Sequence, residues 1–534
     1  MFQTTKKWLS TALVLSTVTL IAAACGSSTD SQADVTNSPS GSASAAATAG
    51  QKPTKLTVFI ASRTTDALYT NETLIWKELG KRLNIDFEFI TGDKKTMAAK
   101  LPLMVASGDY PDIVSGSIAD FNKFGPQGAF IPLNDLIAKK APTITKYLVN
   151  DKDAKSQTIA FDGNLYSVPM LSAVRSSEGP LIRQDWLDKL GLPLPETIDD
   201  WHTVLKAFKE KDPNGDGKND EIPFSSVETF YLNFADAWGI DLNADSRWMQ
   251  ENGKMIYTPI DPRTKEYLTT MNQWYSEGLF EKELLSRQEK DWQTLIFNNR
   301  VGATNHWIGF VAGFNDMPEV KKIPGFHFQV TKPPVLHKGD KALTDRQQQI
   351  TVPWAWAISK NNKNVDVTMK LFEYAYSNEG QTLLNFGVEG DTYTKGSDGT
   401  LKYTDKIAKN VDGSAKALYR IGAQPLLGFR QDPQYEKASC VSVDSCKQLF
   451  NYVDNNYFRD AIPTLKYSDA DMDDYNRITT QINTYVDEML SKFVVGQEPL
   501  SKFDAFVTKV KSMNYDQLEK IQNKAYAKYK ELAK

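Results

Sequence analysis

Residues 55–62, KLTVFIAS, form an apolar, β-branched run typical of a buried strand. The next stretch, ETLIWKELGKRLN at 72–84, has apolar residues at helical spacing, and a second strand is predicted in IDFEFITG at 85–92. A further helix and a short strand follow in MAAKLPLMVASGDYPDIVSGS, residues 97–117. This alternation of strands and helices predicts a mainly parallel sheet with helices on both faces, and such sheets bind ligands at the carboxyl ends of their strands.

Strand-like runs return further along the chain, between long helical tracts, at 165–171, 301–310 and 350–358. The chain beyond residue 53 has roughly 480 residues, which suits two domains better than one core. From about Asp469 onward it is predicted to be nearly all helical. We therefore expect an α/β protein of two lobes with a helical C-terminal cap, in which the three runs cross between the lobes.

The expected division gives a first lobe of 54–172 plus 306–355 and a second lobe of 173–305 plus 356–534. The hinge is predicted at 167–173, 306–309 and 354–358.

The N-terminus has the pattern of an export signal. Lys6 and Lys7 precede an apolar run that is too short to span a bilayer and that ends at Cys25. The pattern resembles a bacterial lipobox, which predicts a signal peptide at 1–24 and lipid on Cys25, such as palmitate; a plain secretory signal is the alternative. Residues 25–53 contain one bulky apolar residue and are predicted to be a flexible tether.

Charge and hydropathy exclude two classes of protein. The net charge is −4, with acidic and basic residues interspersed, so nucleic acid is not expected as a partner. After the signal no apolar run reaches transmembrane length.

Two cysteines remain once Cys25 is assigned to lipid. Cys440 and Cys446 are separated by five residues in ASCVSVDSCKQ, and in an exported chain this spacing favours a disulfide. A metal site is the alternative, although no histidine lies near the pair in the sequence.

The sharpest chemical motif is DPNGDGKNDE at 212–221. It supplies oxygen ligands at alternating positions around glycines, the pattern that a hard cation such as Ca²⁺ requires. The predicted ligands are Asp212, Asn214, Asp216, Lys218 through its carbonyl, Asp220 and Glu221. Pro223 at the twelfth position excludes a true EF-hand, and an ordinary turn rich in Asp and Asn is the alternative.

Several of these segments together resemble the extracellular solute-binding lipoproteins of carbohydrate ABC importers, and the calcium loop is similar to that of the alginate-oligosaccharide-binding branch. Besides the lipobox, the resemblance rests on MVASGDYPDIV (104–114), LIRQDWLDKLGLPLPETIDDWHTVLKAFKEKDPNGDGKNDEIPF (181–224), YSEGLF (275–280), FGVEGDTY (386–393) and KFVVGQEPL (492–500). It implies a hinged type II periplasmic-binding-protein-like fold, structural calcium, an oligosaccharide ligand, membrane permeases as partners and a lipid-anchored monomer. Asn514 stands where this family usually has a glycine turn.

Sugar rings stack on aromatic side chains, and their hydroxyls need polar partners. The aromatic candidates near the predicted crossings and loops are Trp307, Trp354, Trp356, Trp238 and Tyr393, and the polar ones are Asn305, His306, Arg63 and Glu389. Alternate residues of a strand face the same side, so Trp354 and Trp356 are expected to line the cleft together or to be buried together. A core role is the alternative for each aromatic residue.

The function expected is reversible capture of an oligosaccharide by lobe closure, without catalysis. A secreted hydrolase or lyase is one alternative, although the chain has no nucleophile elbow, phosphate loop or zinc-binding histidine motif. A sugar-sensing surface lipoprotein is the other.

Overall fold

The structure is a computed structural model, and it describes residues 52–532 apart from 174–177, 228–229, 243–246, 310–313, 345–349, 441 and 460–463. The predicted signal peptide and Cys25 lie outside the described residues, as does almost all of the predicted tether.

The strands of the described chain form two larger sheets and two hairpins. They are β1 (Thr54–Ser62), β2 (Ile85–Asp93), β3 (Ile113–Ser117), β4 (Val168–Leu171), β5 (Glu178–Arg183), β6 (Ile222–Phe224), β7 (Trp248–Glu251), β8 (Lys254–Tyr257), β9 (Val301–Trp307), β10 (Phe328–Val330), β11 (Thr351–Ile358), β12 (Tyr393–Lys395) and β13 (Leu401–Tyr403).

Helices cover these sheets, and many of them begin at a capping side chain, such as Asp93 before the second helix. The α-helices are α1 (Leu74–Leu83), α2 (Lys94–Ser107), α3 (Ile118–Phe124), α4 (Asn134–Lys140), α5 (Pro142–Ile144), α6 (Lys152–Thr158), α7 (Gln184–Leu190), α8 (Ile198–Glu210), α9 (Pro262–Ser276), α10 (Glu289–Phe297), α11 (Val365–Tyr376), α12 (Asn378–Phe386), α13 (Asp405–Ala408), α14 (Ser414–Arg420), α15 (Pro433–Ser439), α16 (Val443–Asp454), α17 (Asp469–Val494), α18 (Phe503–Val510) and α19 (Asp516–Leu532). Shorter 3₁₀ or π turns lie at Thr145–Val149, Phe230–Trp238, Thr258–Ile260, Val320–Lys322, Leu500–Lys502 and Lys511–Tyr515.

The first sheet has the strand order β2-β1-β3-β11-β4. β1 pairs in parallel with β2 and β3, whereas β11 is antiparallel to both β3 and β4. Four of the five strands therefore run the same way, which confirms the mainly parallel sheet expected from the sequence. Alternate residues of β1 face opposite cores, with Val58 on one side and Phe59 on the other.

The second sheet has the order β10-β5-β9-β6. β5 is antiparallel to both of its neighbours, and β6 is parallel to β9. Its larger core contains side chains of α8, α9 and the C-terminal helices. A smaller core on the same sheet contains Trp292, Phe314 and Phe328.

The two sheets with their cores define the two lobes. Within the described residues the chain passes between them three times: between Ser172 and Glu178, between Thr344 and Ile350, and between Cys440 and Ser442. Cys440 and Cys446, the pair expected to be oxidised, are joined by a disulfide that spans the third passage.

This division corrects the lobe boundaries expected from the sequence. Ile308, Phe314, Val320, Phe328 and Val330 pack in the smaller core of the second sheet, although they were assigned to the first lobe. Helices α11 and α12 pack in the core of the first sheet, although they were assigned to the second lobe. The hinge predicted at 306–309 therefore lies within the second lobe, and the one predicted at 354–358 lies within the first sheet.

The C-terminal helices α17, α18 and α19 pack on the second lobe, as expected for a cap, through Ile482, Phe506 and Leu518. The end of α19 also reaches the first lobe, where Leu532 packs against its core. Asn514 adopts a left-handed backbone with φ of 61°, the conformation that a glycine takes without strain, so the turn is retained.

Candidate functional site

In both sheets, all strands but one have their carboxyl ends at the edge toward the passages between the lobes; the exceptions are β11 and β5. β4 leads into the first passage from Leu171, and it runs in the same direction as β1 and β3. The six residues between β4 and β5 span at most about 20 Å, so they hold the two edges close together.

The first passage reaches the second sheet at Glu178, the first residue of β5. Glu178 pairs with Trp307 at the carboxyl end of β9. The carboxyl ends of β6 and β10 lie at this edge too, because of their pairing with β9 and β5. The region between two such edges is where an α/β protein binds ligand.

A cavity of about 660 Å³ lies at the carboxyl end of β1 on the first lobe. Its wall consists of the loop after β1, the helix α14 and the two residues before that helix. The lining residues are Arg63, Thr64, Thr65, Asp66, Asp412, Gly413, Ser414, Ala415, Lys416 and Tyr419. Its volume falls within the range of small-molecule sites.

Arg63, one of the predicted polar residues, is half-buried in this wall. Its Nε donates to the carbonyl oxygen of Gln424, and its guanidinium carbon lies 5.1 Å from the centroid of the Tyr419 ring. The cation–π contact and the hydrogen bond together fix the direction of the guanidinium group.

The carboxylates of the cavity are held by cations. Arg420 contacts Asp66 at 2.6 Å and also binds Asp412, and Lys416 lies 3.4 Å from Asp66. The hydrogen bond from Arg420 is the main cause that lowers the pKa of Asp66 to about 2, and Arg420 lowers the pKa of Asp412 as well. Both carboxylates are therefore ionised at neutral pH.

Trp307 lies at the facing edge of the second lobe with 43% of its surface exposed. Its neighbour His306 is buried and stacks on Trp292, with ring centroids 5.0 Å apart and an angle of 14° between the planes. Burial lowers the pKa of His306, against the opposing charge of Glu289, whose Oε2 lies 3.4 Å from Nε2. Asn305 is fully buried within β9. Of these three consecutive predicted residues, only Trp307 presents a large apolar surface to solvent.

A buried polar chain lies just beyond the carboxyl end of β6. Ser225 donates to Glu281 Oε2 at 2.6 Å, and Arg287 binds both Glu281 and, at 2.7 Å, Glu283. Glu281 is therefore a structural anion that holds the loop after β6, where Ser226 is also fully buried.

The expectation that Trp354 and Trp356 line the cleft together or are buried together was wrong, because the two rings lie in different environments. Trp356 is 1% exposed and stacks on Phe372 at 4.1 Å in the core of the first lobe. Trp354 packs against the core on the opposite face of the sheet and has Lys94 5.0 Å from its ring centroid. The register of β11 against β4 shifts between Val352 and Ala355, and this irregularity accompanies the change of face.

The other three predicted ligand residues, Trp238, Tyr393 and Glu389, do not line the cavity at the carboxyl end of β1. Trp238 is 8% exposed and packs edge-on against Tyr267 in the core of the second lobe. Tyr393 is buried against Phe386 in a small satellite core. Glu389 is exposed in the turn before Tyr393. Trp238 and Tyr393 therefore have the core role that the sequence analysis gave as the alternative to ligand binding.

The loop at 212–221 folds back on itself through its own side chains. Asp212 accepts from the backbone amides of Gly215 and Gly217 at 2.8 and 3.1 Å. Asn214 accepts from the amide of Asp216, which in turn accepts from the amide of Lys218. These are the bonds of a turn rich in Asp and Asn, and they also hold the oxygens of the loop near one another.

Three cations lie against this loop, and one of them, Lys189, donates to the backbone oxygen of Pro213 at 3.0 Å. Lys218 Nζ contacts Asp216 at 2.9 Å, and Arg300 Nε contacts Asp220 at 3.1 Å. In the described part of the chain no three His, Cys, Asp or Glu side chains converge in metal-binding geometry. The two ion pairs explain this result for the loop, because they turn two of its carboxylates toward cations.

The chemistry of the loop nevertheless fits a cation. Both carboxylate oxygens of Glu221 and one of Asp220 are buried without a hydrogen-bond partner among the described residues. Burial, reinforced by the charges of Asp212 and Asp220, raises the pKa of Glu221. A hard cation bound here would supply the partner that these oxygens lack.

Sequence reasoning missed most of the cavity wall, including Tyr419, Lys416 and Asp412. These residues lie some 350 positions after Arg63, in a stretch with no motif, and only the fold brings them to the loop after β1. The segment Arg183–Trp186, by contrast, is structural: Arg183 is buried between Trp186 and Phe326 and binds both oxygens of Asp185.

With two lobes, facing carboxyl edges and this cavity, the fold is that of a solute-binding protein. The chain belongs to the family of bacterial extracellular solute-binding proteins, whose sequence profile matches residues 61–382. Among the described residues, no helix has the length and apolar content needed to span a bilayer.

Particular relatives extend the comparison along nearly the whole chain. The fructooligosaccharide ABC transporter substrate-binding protein FusA of Streptococcus pneumoniae is 27% identical over 98% of each chain. Lipoprotein LipO of Bacillus subtilis is 25% identical over 80% of this chain and 83% of its own. The crystal structure of alginate-binding protein AlgQ2 without calcium ion matches with a TM-score of 0.69 and 28% identity, covering 89% of this chain and 98% of that one.

Proposed function

We propose that this protein is a substrate-binding protein that captures oligosaccharides on the outer face of the cell membrane and delivers them to an ABC importer. The observation that carries the proposal is the cavity at the carboxyl end of β1, on a lobe whose edge faces the exposed Trp307 of the second lobe. Family membership and the substrates named for FusA and AlgQ2 support the ligand class.

The binding step is lobe closure around the passages. An oligosaccharide stacks one ring on Trp307 and places its hydroxyls against the polar wall of the first lobe. Closure then removes both surfaces from water, and permease subunits in the membrane recognise the closed form.

A hydrolase is disfavoured by the state of the cavity carboxylates. Glycoside hydrolysis requires one carboxyl group with a raised pKa as general acid. Asp66 and Asp412 both have lowered pKa values because Arg420 binds them. The site therefore has anions suited to hydrogen bonding rather than to proton transfer.

Calcium has a structural role in this proposal. Asp212, Asn214, Asp216, Asp220, Glu221 and the carbonyl of Lys218 would hold the ion. Bound there, it would neutralise the acidic loop and stabilise the second lobe beside Arg300.

We further propose that lipid on Cys25 anchors the protein, a feature that the name of LipO also carries. Metabolic labelling with a palmitate analogue is expected for the wild type and should be lost in Cys25→Ser. Retention of label in that variant would contradict the assignment.

Titration calorimetry of the purified protein against neutral and acidic oligosaccharides, followed by mass spectrometry of the recovered ligand, tests the function. We expect saturable binding and an unchanged ligand. Shortened or unsaturated products would identify an enzyme, and failure to bind any saccharide would contradict the proposal.

A further inference from the structure

The cavity on the first lobe has an excess of positive charge, and this excess is located on Arg63. Building on the proposed function, we infer that this cavity binds an anionic group of the ligand, the carboxylate of an acidic sugar residue.

The charges around the cavity do not cancel. Asp66 and Asp412 contribute two negative charges, and both are already engaged by Arg420, with Lys416 also close to Asp66. Arg63 is the cation left over: among the described residues no carboxylate lies within ion-pairing distance of it, and its contacts are a carbonyl oxygen and an aromatic ring. A half-buried guanidinium group without a counter-ion favours an anionic ligand.

Arg63 is held in place by a residue with a strained backbone. Gln424, whose carbonyl accepts from Arg63, is buried and has a left-handed backbone with φ of 51°, which is unfavourable for a residue with a side chain. Its amide group is fixed at both ends, donating to Asn385 Oδ1 at 2.7 Å and accepting from Gln431 at 3.2 Å. Strained residues that surrounding bonds hold rigidly are characteristic of ligand-binding positions.

The geometry also defines which atoms of Arg63 remain for a ligand. Nε is used by Gln424, and one face of the guanidinium group is covered by Tyr419. The two terminal nitrogens have no hydrogen-bond partner within the described part of the chain, so they can donate in parallel to the two oxygens of a carboxylate. A neutral sugar hydroxyl offers one acceptor at a time and gains less from this arrangement.

The test compares acidic oligosaccharides with their methyl esters, which keep the sugar and remove the charge. The probes are trimers of galacturonate, glucuronate and mannuronate, and the readout is calorimetric affinity for the whole protein. We expect at least one acid to bind ten or more times tighter than its ester, with the preference reduced by added salt.

Variants assign this preference to Arg63. Arg63→Gln should abolish it, Arg63→Lys should restore part of it, and the control Lys409→Gln, an exposed cation paired with Asp405 outside the cavity wall, should retain it. Thermal melting shows whether each variant is folded. If Arg63→Gln unfolds, Arg63→Lys carries the test, since loss of the bidentate contact should weaken the acid and leave the ester unchanged.

The outcomes separate this inference from the proposed function. Binding of neutral oligosaccharides with no preference for any acid over its ester overturns the inference and leaves the function intact. An acid preference that survives in Arg63→Gln also overturns it. Absence of binding to every saccharide overturns both.

Discussion

The two lobes bring different chemistry to the same site. The first lobe presents a charged cavity in which Arg63 is fixed by a carbonyl and an aromatic ring. The second lobe presents Trp307, an apolar surface at the end of a strand whose other residues are buried. Under the proposed function, the first lobe would set the orientation and charge of the ligand, and the second lobe would supply the stacking surface.

The lobes also differ in what stabilises them. The first lobe depends on cores on both faces of a mainly parallel sheet, with Trp356 at the centre of one of them. The second lobe combines a larger helical core with an acidic loop in which three buried carboxylate oxygens have no hydrogen-bond partner among the described residues. Each of these differences between the lobes can be tested by a substitution or by removal of calcium.

The largest effect is expected from Trp356→Ala in the first-lobe core. Removing a fully buried ring that stacks on Phe372 should lower the free energy of unfolding by about 3–5 kcal/mol. Trp354→Ala, two residues earlier and only partly buried, should cost less than half as much. Urea denaturation measures both, and equal losses would contradict the two environments assigned to these rings.

Calcium should affect the second lobe by a somewhat smaller amount. At a free calcium concentration a hundred times the dissociation constant, binding stabilises the folded protein by about 2.7 kcal/mol. We expect a chelator to lower the melting temperature, and Glu221→Gln to remove most of that response. Glu389→Gln, an exposed acid of the first lobe, is the matched control. Identical melts with and without chelator would reject the calcium site.

Lys466 tests the contact between the lobes. It lies beside the second-lobe core and donates to the backbone oxygen of Gln157 in α6 at 3.0 Å, and burial lowers its pKa to about 8 from the usual 10.5. Holding the ammonium group there costs about 3 kcal/mol at pH 7. Because the hydrogen bond returns about 1 kcal/mol, Lys466→Met should stabilise the protein by about 2 kcal/mol.

The sign of the pH dependence follows from the lowered pKa. As the pH rises through about 8, the folded protein releases the proton of Lys466 while the unfolded chain keeps it, so the wild type gains stability. The advantage of Lys466→Met should therefore shrink between pH 7 and pH 9.5. Urea denaturation at both values, with Lys520→Met as an exposed control, measures this, and an advantage that grows with pH would contradict it.

The smallest of these effects is expected at the second-lobe edge. Trp307→Ala should leave stability nearly unchanged, because the ring is exposed, and weaken oligosaccharide binding at least tenfold, or about 1.4 kcal/mol. Phe161→Ala, another exposed aromatic residue, should bind as the wild type does. Unchanged calorimetric affinity in folded Trp307→Ala would remove this ring from the site.

The local fold was predictable because it depends on local pattern. The two strands and the helix from β1 to β2 were predicted with bounds within about two residues, since apolar runs determine them. The lobe boundaries were not, because the packing of α11 and α12 against the first sheet is a long-range contact that no local pattern records.

The site was predictable only where a motif lies at a strand end or in a loop. The acidic loop and Trp307 have such positions, and Arg63 follows β1 directly. Strand alternation predicted that Trp354 and Trp356 lie on the same face of β11. That prediction failed because the sequence pattern does not reveal the register shift in β11. No sequence motif marks Tyr419 or Gln424, since their role depends on contact with Arg63, more than 350 positions away in the chain.

We propose that a saccharide is held between the carboxyl edges of both lobes. Hydrogen exchange with and without a bound oligosaccharide is the direct test of this binding mode. We expect simultaneous protection of 62–66 and 412–419 on the first lobe and of 305–309 on the second. Protection confined to one lobe, with the other exchanging as in the free protein, would contradict it.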